Sequence, residues 1–306
     1  LQQVGVRCQI ASGIDGDATR NDLQWAGAVY TFENTGGAWQ PATYFKASNP
    51  GIDDRFGHKV ALDASGNKLL VSANHERSNA TGIDGAQNNN SLLQAGAVYA
   101  FVRSGDTWVQ TAYIKAPNTG ELDAFGDSLA LSADGQWLAI GAYNEDSAAT
   151  GFDGDANDDS APSAGAVYLL RASGNSFVHH AYVKASNADE DDQFGTSVAL
   201  SPSGDMLVVG AGTENGYASG VDGDQSNRGP NSSGAAYVFR RTGGEWSQVH
   251  YLKPTNNTPT MFGTGFGGAV ALGGSRPTIV VGAPGEDSDT AGVDGPQNNS
   301  GAVHSG

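Results

Sequence analysis

Short apolar runs alternate with Gly-rich polar stretches along the whole chain. Runs such as Ser197 to Leu200, Met206 to Val209 and Thr278 to Val281 are strand-length, and no run carries a helical period. The tight links Ala64-Ser-Gly66, Ala133-Asp-Gly135 and Pro202-Ser-Gly204 are turn sequences joining consecutive strands. In Gly27-Ala-Val-Tyr30 and the residues after it, small and large side chains alternate as a sheet requires. The pattern predicts an all-β chain.

The strands recur in register. Phe-Gly stands at Phe56-Gly57, Phe125-Gly126, Phe194-Gly195 and Phe266-Gly267, in steps of 69, 69 and 72 residues. Gly-Ala-Val-Tyr stands at Gly27, Gly96 and Gly165, and returns as Gly234-Ala-Ala-Tyr237 and Gly301-Ala-Val-His304. Tyr-x-Lys follows at Tyr44/Lys46, Tyr113/Lys115, Tyr182/Lys184 and Tyr251/Lys253, each preceded by Trp39, Trp108, Phe177 or Trp246. Each repeat therefore holds four strands, lettered A to D: the run after Phe-Gly, a short apolar run, Gly-Ala-Val-Tyr, and Tyr-x-Lys. Four-stranded units repeated radially describe a β-propeller. The expected organisation is one propeller region over 1–306, with a partial blade at 1–55, blades at 56–124, 125–193 and 194–265, and a partial blade at 266–306.

Phe-Gly before strand A, Val281-Gly-Ala-Pro284 after strand B and Gly-Ala-Val-Tyr together resemble the FG-GAP repeat of integrin α subunits. The stretches Phe125-Gly-Asp-Ser-Leu-Ala-Leu-Ser-Ala-Asp-Gly135, Gly141-Ala-Tyr-Asn-Glu-Asp-Ser147 and Ala164-Gly-Ala-Val-Tyr168 are closer still to bacterial surface proteins with FG-GAP repeats. The resemblance implies a propeller, an adhesion or scaffold role, and an extracellular or cell-surface location. It also implies a calcium loop between strands A and B. That loop is absent here, because Ser132-Ala-Asp-Gly135 and Ser201-Pro-Ser-Gly204 are too short and too poor in acids. Leu1 aligns within a strand B and Gly306 falls just inside a strand C, so four to five blades are represented. Two readings stand: a four-bladed ring sharing one blade between the termini, or, the favoured one, a piece of a larger propeller.

Charge adds a polarity to this scaffold. The net charge is −17, from 33 acidic and 16 basic residues, which disfavours nucleic acid and anionic membranes as partners. No stretch is long and apolar enough to insert in a bilayer. Up-and-down strands place the B–C and D–A loops on one face. Those loops hold 26 of the 33 acids, and only Arg7, Arg20, Arg55, Arg77 and Arg228 among the bases. A protein or glycan ligand is the expected partner of that face.

The B–C loops, about twenty residues long, share Gly-apolar-Asp-Gly at Gly13, Gly82, Gly151, Gly220 and Gly292. Eight residues ahead of the Asp in the last four stand Glu76, Glu145, Glu214 and Glu286, with Arg7 in the first copy. Repeated carboxylates with Gly at sharp turns suit Ca²⁺. The candidate ligands are Glu76, Asp84, Glu145, Asp153, Asp155, Glu214, Asp222, Asp224, Glu286 and Asp294. The competing reading makes each Asp a cap on its own loop backbone. Asp54, Asp123 and Asp192, two residues before Phe-Gly, read as loop-solvating acids, with a ligand role on the acidic face as the alternative. The Tyr-x-Lys lysines read as covers of apolar surface whose heads reach solvent or an acid, with anion binding as the alternative. The aromatics before Tyr-x-Lys suggest blade-edge packing, or sugar stacking in a lectin.

Catalytic signatures are absent from the sequence: no Gly-x-Ser-x-Gly, phosphate loop or His-Glu-x-x-His occurs, and the six His are scattered. A single cysteine, Cys8, forms no intrachain disulfide. The sequence reads as a non-enzymatic binding scaffold, with a lectin and a structural subunit of a larger assembly as alternatives.

Overall fold

The structure, a computed structural model, describes residues 12–19, 21–229, 232–257, 263–274 and 276–286. They form sixteen strands and no helix. Three sheets have four antiparallel strands in chain order: β3(Val60–Leu62) to β6(Thr107–Ile114), β7(Ser128–Leu131) to β10(Ser176–Val183), and β11(Phe194–Leu200) to β14(Glu245–Leu252). Two further sheets have two strands each, β1(Val29–Thr35) with β2(Ala38–Phe45), and β15(Ala269–Gly273) with β16(Thr278–Gly282). By position in the repeat, β1 and β2 are strands C and D, and β15 and β16 are strands A and B. Among the described residues β1 and β16 do not pair with each other.

Register repeats with the sequence. Ser72 pairs with Val98, Gly141 with Val167, and Gly210 with Ala236, so the B–C ladder is the same in each four-stranded blade. A bulge interrupts the C–D pairing once per blade, at Ala100/Phe101, His179/Ala181 and Val238/Phe239. A bulge at a fixed place sharpens the strand twist that fans successive blades apart.

The Gly of Gly-Ala-Val-Tyr has a steric cause. A Cβ on Gly165 would lie 2.1 Å from the backbone oxygen of Phe194, the Phe of the next Phe-Gly, and Gly165 has φ +81°. Strand C of one blade therefore meets the start of the next blade backbone to backbone, and only Gly fits. The Phe side chains fill the seams. Phe56, Phe125 and Phe194 are buried and meet Tyr99, Tyr168 and Tyr237 edge-on, with ring centroids 5.2–5.3 Å apart. Each such ring contributes about 2–3 kcal/mol through burial.

Aromatics before Tyr-x-Lys also enter the seams. Trp108 lies edge-on to Phe45 of the preceding sheet, Phe177 beneath Lys68, and Trp246 against Trp137. All three are buried, whereas Trp39 is 69% exposed. The packing expectation holds for the three rings that have a described sheet before them, and fails for Trp39, which has none.

Candidate functional site

Asp84 shows how the Gly-apolar-Asp-Gly loops are built. Its φ is +57°, and its Oδ1 accepts the N–H of Tyr113 at 2.8 Å. Its own N–H donates to the Tyr113 carbonyl at 2.7 Å, and Lys115 N–H donates to Gly82 O at 2.8 Å. The loop thus docks on the end of strand D as one extra bridge, Ile83 to Ile114. Asp153 and Asp222 hold Tyr182 and Tyr251 in the same way, at 2.9 and 3.0 Å. Asp155 and Asp224 cap their own turns through the N–H groups of Asn157 and Ser226. These are the backbone-capping roles.

The glutamates go elsewhere. Glu76, Glu145 and Glu214 are buried, and each meets the Tyr-x-Lys lysine of its own blade: Lys115 at 2.9 Å, Lys184 at 2.8 Å and Lys253 at 2.6 Å. Each also accepts a backbone N–H two residues on, from Ser78, Ser147 or Gly216. Tyr182 and Tyr251 hydroxyls donate to Glu145 and Glu214. Burial pulls the three lysine pKa values down and the facing glutamate opposes it. The lysine heads reach an acid, as one sequence reading had it, but inside the protein.

An asparagine completes each cluster. Asn49, Asn118 and Asn187 donate to the next repeat's Glu76, Glu145 and Glu214 at 3.0–3.1 Å. The same amides accept the hydroxyls of Tyr99, Tyr168 and Tyr237. Asn256 donates to Glu286 at 2.9 Å, so the fourth copy follows the rule. Sequence reasoning missed these residues, although Lys-x-x-Asn recurs at Lys46, Lys115, Lys184 and Lys253.

Asp54, Asp123 and Asp192 are corrected by the structure: they do not solvate loops but are buried in the seams. Each accepts a backbone N–H three residues back, from Gly51, Gly120 or Asp189. Burial raises Asp54 to about 6, against its Gly51 hydrogen bond and helped by the charge of Glu76. Burial raises Asp123 to about 7, with Glu145 adding to it. Asp192 rises to about 6, also through burial, with Arg228 at 2.6 Å opposing.

The calcium candidates are thus divided among separate jobs. Glu76, Glu145 and Glu214 neutralise buried lysines, Glu286 accepts the Asn256 amide, and Asp84, Asp153, Asp155, Asp222 and Asp224 cap loop backbone. Among the described residues no three His, Cys, Asp or Glu side chains gather as a metal group. Asp294 lies outside the described residues.

What remains on the surface is a dense display of negative charge. Asp15, Asp17, Asp22, Asp84, Glu121, Asp153, Asp155, Asp159, Asp189, Glu190, Asp191, Asp222 and Asp224 are exposed in the B–C and D–A loops. On the turns of the opposite side the exposed acids are Asp106, Asp134 and Glu245. The Ser160 hydroxyl and the Ala148 N–H hold Asp158 below the usual carboxylate range.

Residues 177–239 match the FG-GAP repeat, running from strand D of one blade to strand C of the next. This stretch is an FG-GAP repeat. The same Phe-Gly, Gly-Ala-Val-Tyr and Tyr-x-Lys positions recur in the neighbouring blades of an all-β, propeller-like chain. No curated protein matches the chain. Among solved structures, a putative 6-phosphogluconolactonase from Bacteroides uniformis is similar over 75% of this chain and 49% of its own, with 13% identity and a TM-score of 0.42. A hypothetical selenium-binding protein from Sulfolobus tokodaii is similar over 69% of this chain and 43% of its own, with 10% identity and a TM-score of 0.38. The chain spans less than half the length of either, and similarity this low carries no argument about activity.

Proposed function

We propose that the protein is a non-enzymatic binding or adhesion scaffold, acting at the cell surface or outside the cell, whose acidic loop face engages a partner with a basic surface. The observation that supports this reading most is the division of acids within one set of loops. The buried glutamates and the capping Asp84, Asp153 and Asp222 staple the B–C loops to strand D, and further acids are left exposed on the same face. A preorganised charged surface loses little ordering entropy on binding and steers an oppositely charged partner. Cation assistance finds little support, because Glu76, Glu145 and Glu214 already face lysines, and Asp84, Asp153, Asp155, Asp222 and Asp224 already accept backbone N–H groups. The lectin reading loses its original seat, because Trp108, Phe177 and Trp246 are inside the seams.

The test is a surface-binding panel of purified matrix and surface proteins, basic and acidic. A variant with Glu121, Asp159, Glu190 and Asp191 changed to amides is compared with one changed at Asp106, Asp134 and Glu245. The reading expects basic proteins to be bound and only the first variant to lose them. Equal binding by both variants contradicts it.

A further inference from the structure

The seams between sheets are copies of one another in backbone, and one of them differs in chemistry. In three of them, a B–C loop meets the following D–A loop through two N–H···O=C bonds. Asp53 donates to Gln24 and Arg55 to Trp25, Leu122 to Leu93 and Ala124 to Gln94, Asp191 to Pro162 and Gln193 to Ser163, all at 2.8–3.0 Å. The residues at these positions are Gln94, Leu122, Ala124 and Asn144 in the second seam. In the third they are Ser163, Asp191, Gln193 and Thr213. The first seam instead displays Trp25, Asp53, Arg55 and His75.

Three of these side chains are joined to one another. Asp53 Oδ1 takes Arg55 Nε at 3.0 Å, and its Oδ2 takes His75 Nδ1 at 3.3 Å. Arg55 and His75 thereby hold the Asp53 carboxyl below its ordinary pKa, against a partial burial penalty. Trp25 and Arg55 line one open cavity, and the Trp25 indole is 67% exposed although its main chain is pinned by Arg55. An indole held in water by a fixed backbone has no folding role that its Gln94 and Ser163 counterparts lack. An indole left in water next to a hydrogen-bonding guanidinium presents the aromatic and Arg chemistry in which contact sites are enriched.

We propose that Trp25, Asp53, Arg55 and His75 form a saccharide-binding site at the first seam. The indole face stacks on the C–H face of a pyranose ring, the Asp53 carboxylate accepts from a hydroxyl, and the Arg55 guanidinium donates to its neighbour. The sugar is neutral: Arg55 is already balanced by Asp53, and the acids around the seam repel an anionic ring. The proposal rests on the acidic loop face being the binding face, and it names a second ligand class for that face.

The test uses the whole chain on an array of neutral and acidic oligosaccharides, followed by titration of the best sugar against intrinsic tryptophan fluorescence. Trp25→Ala weakens binding of that neutral sugar at least about tenfold. Trp25→Phe keeps part of it, and Trp39→Ala, at an equally exposed indole beside the opposite turns, leaves it unchanged. Thermal melting is the same for all three variants. A silent array, a preference for acidic sugars, or equal loss in Trp25→Ala and Trp39→Ala overturns the proposal. If basic proteins still bind while the array is silent, the saccharide site fails and the scaffold reading stands.

Discussion

Lys184 Nζ lies 2.8 Å from Glu145 Oε2, and the two side chains are only 1% and 3% exposed. The pair joins the end of strand D to the start of the B–C loop of the same blade, and Asn118 ties it to the preceding repeat. Removing one partner leaves a buried uncompensated charge. Lys184→Met is expected to cost about 3–5 kcal/mol in urea unfolding, whereas Lys184→Met with Glu145→Gln recovers a large part of that loss. Additive losses in the double variant would show that the two side chains act separately.

Buried aspartates set a pH dependence. In the unfolded chain Asp123 loses its proton near pH 3.8, and in the folded protein near pH 7. The folded state therefore binds the extra proton across that window, and stability falls as pH rises from about 4 to about 7. Asp123→Asn keeps an acceptor for the Gly120 N–H and removes the ionisation. Its melting temperature should exceed the parent's at pH 8 and converge with it near pH 4. A variant that is less stable at both pH values would contradict the account.

Gly165 is a backbone contact and not a flexible joint. Gly165→Ala places a methyl carbon 2.1 Å from Phe194 O on a residue with φ +81°, so a loss of about 2 kcal/mol or more is expected. Gly174→Ala, at a C–D turn with φ +61° and no atom within 4 Å of the added carbon, bears the strain alone and should cost less. Equal losses would place the whole effect in the backbone conformation.

Melting with Ca²⁺ and with a chelator should give the same midpoint, because the loop carboxylates are already held by lysines and N–H groups. A rise of several degrees with Ca²⁺ would show that the cation binds the folded state selectively.

How much of this was legible in the sequence follows from the range of each interaction. Period-two patterning and the turns at Ala64-Ser-Gly66 and Pro202-Ser-Gly204 are local, and they placed the strands correctly. The repeat made the seams legible too, since Phe56, Phe125 and Phe194 had to serve one role. The capping by Asp84 and Asp153 was one of two readings, because a carboxylate beside Gly in a long loop looks the same whether it holds a cation or an N–H. The burial of Asp54, Asp123 and Asp192 was not legible, because it depends on how one blade covers the loop of the next. Asn49 and its counterparts were missed for the same reason, although Lys-x-x-Asn repeats as faithfully as Tyr-x-Lys. Trp39 differs from its copies in being exposed, and no described sheet stands before it.

The acidic face is tested most directly by the salt dependence of binding to the strongest basic partner of the panel. The affinity of the parent protein should fall steeply between low and physiological ionic strength. The variant with amides at Glu121, Asp159, Glu190 and Asp191 should bind more weakly at low salt with a flatter dependence, its folding unchanged. Parent and variant sharing one affinity and one salt slope would contradict the claim that this face makes the contact.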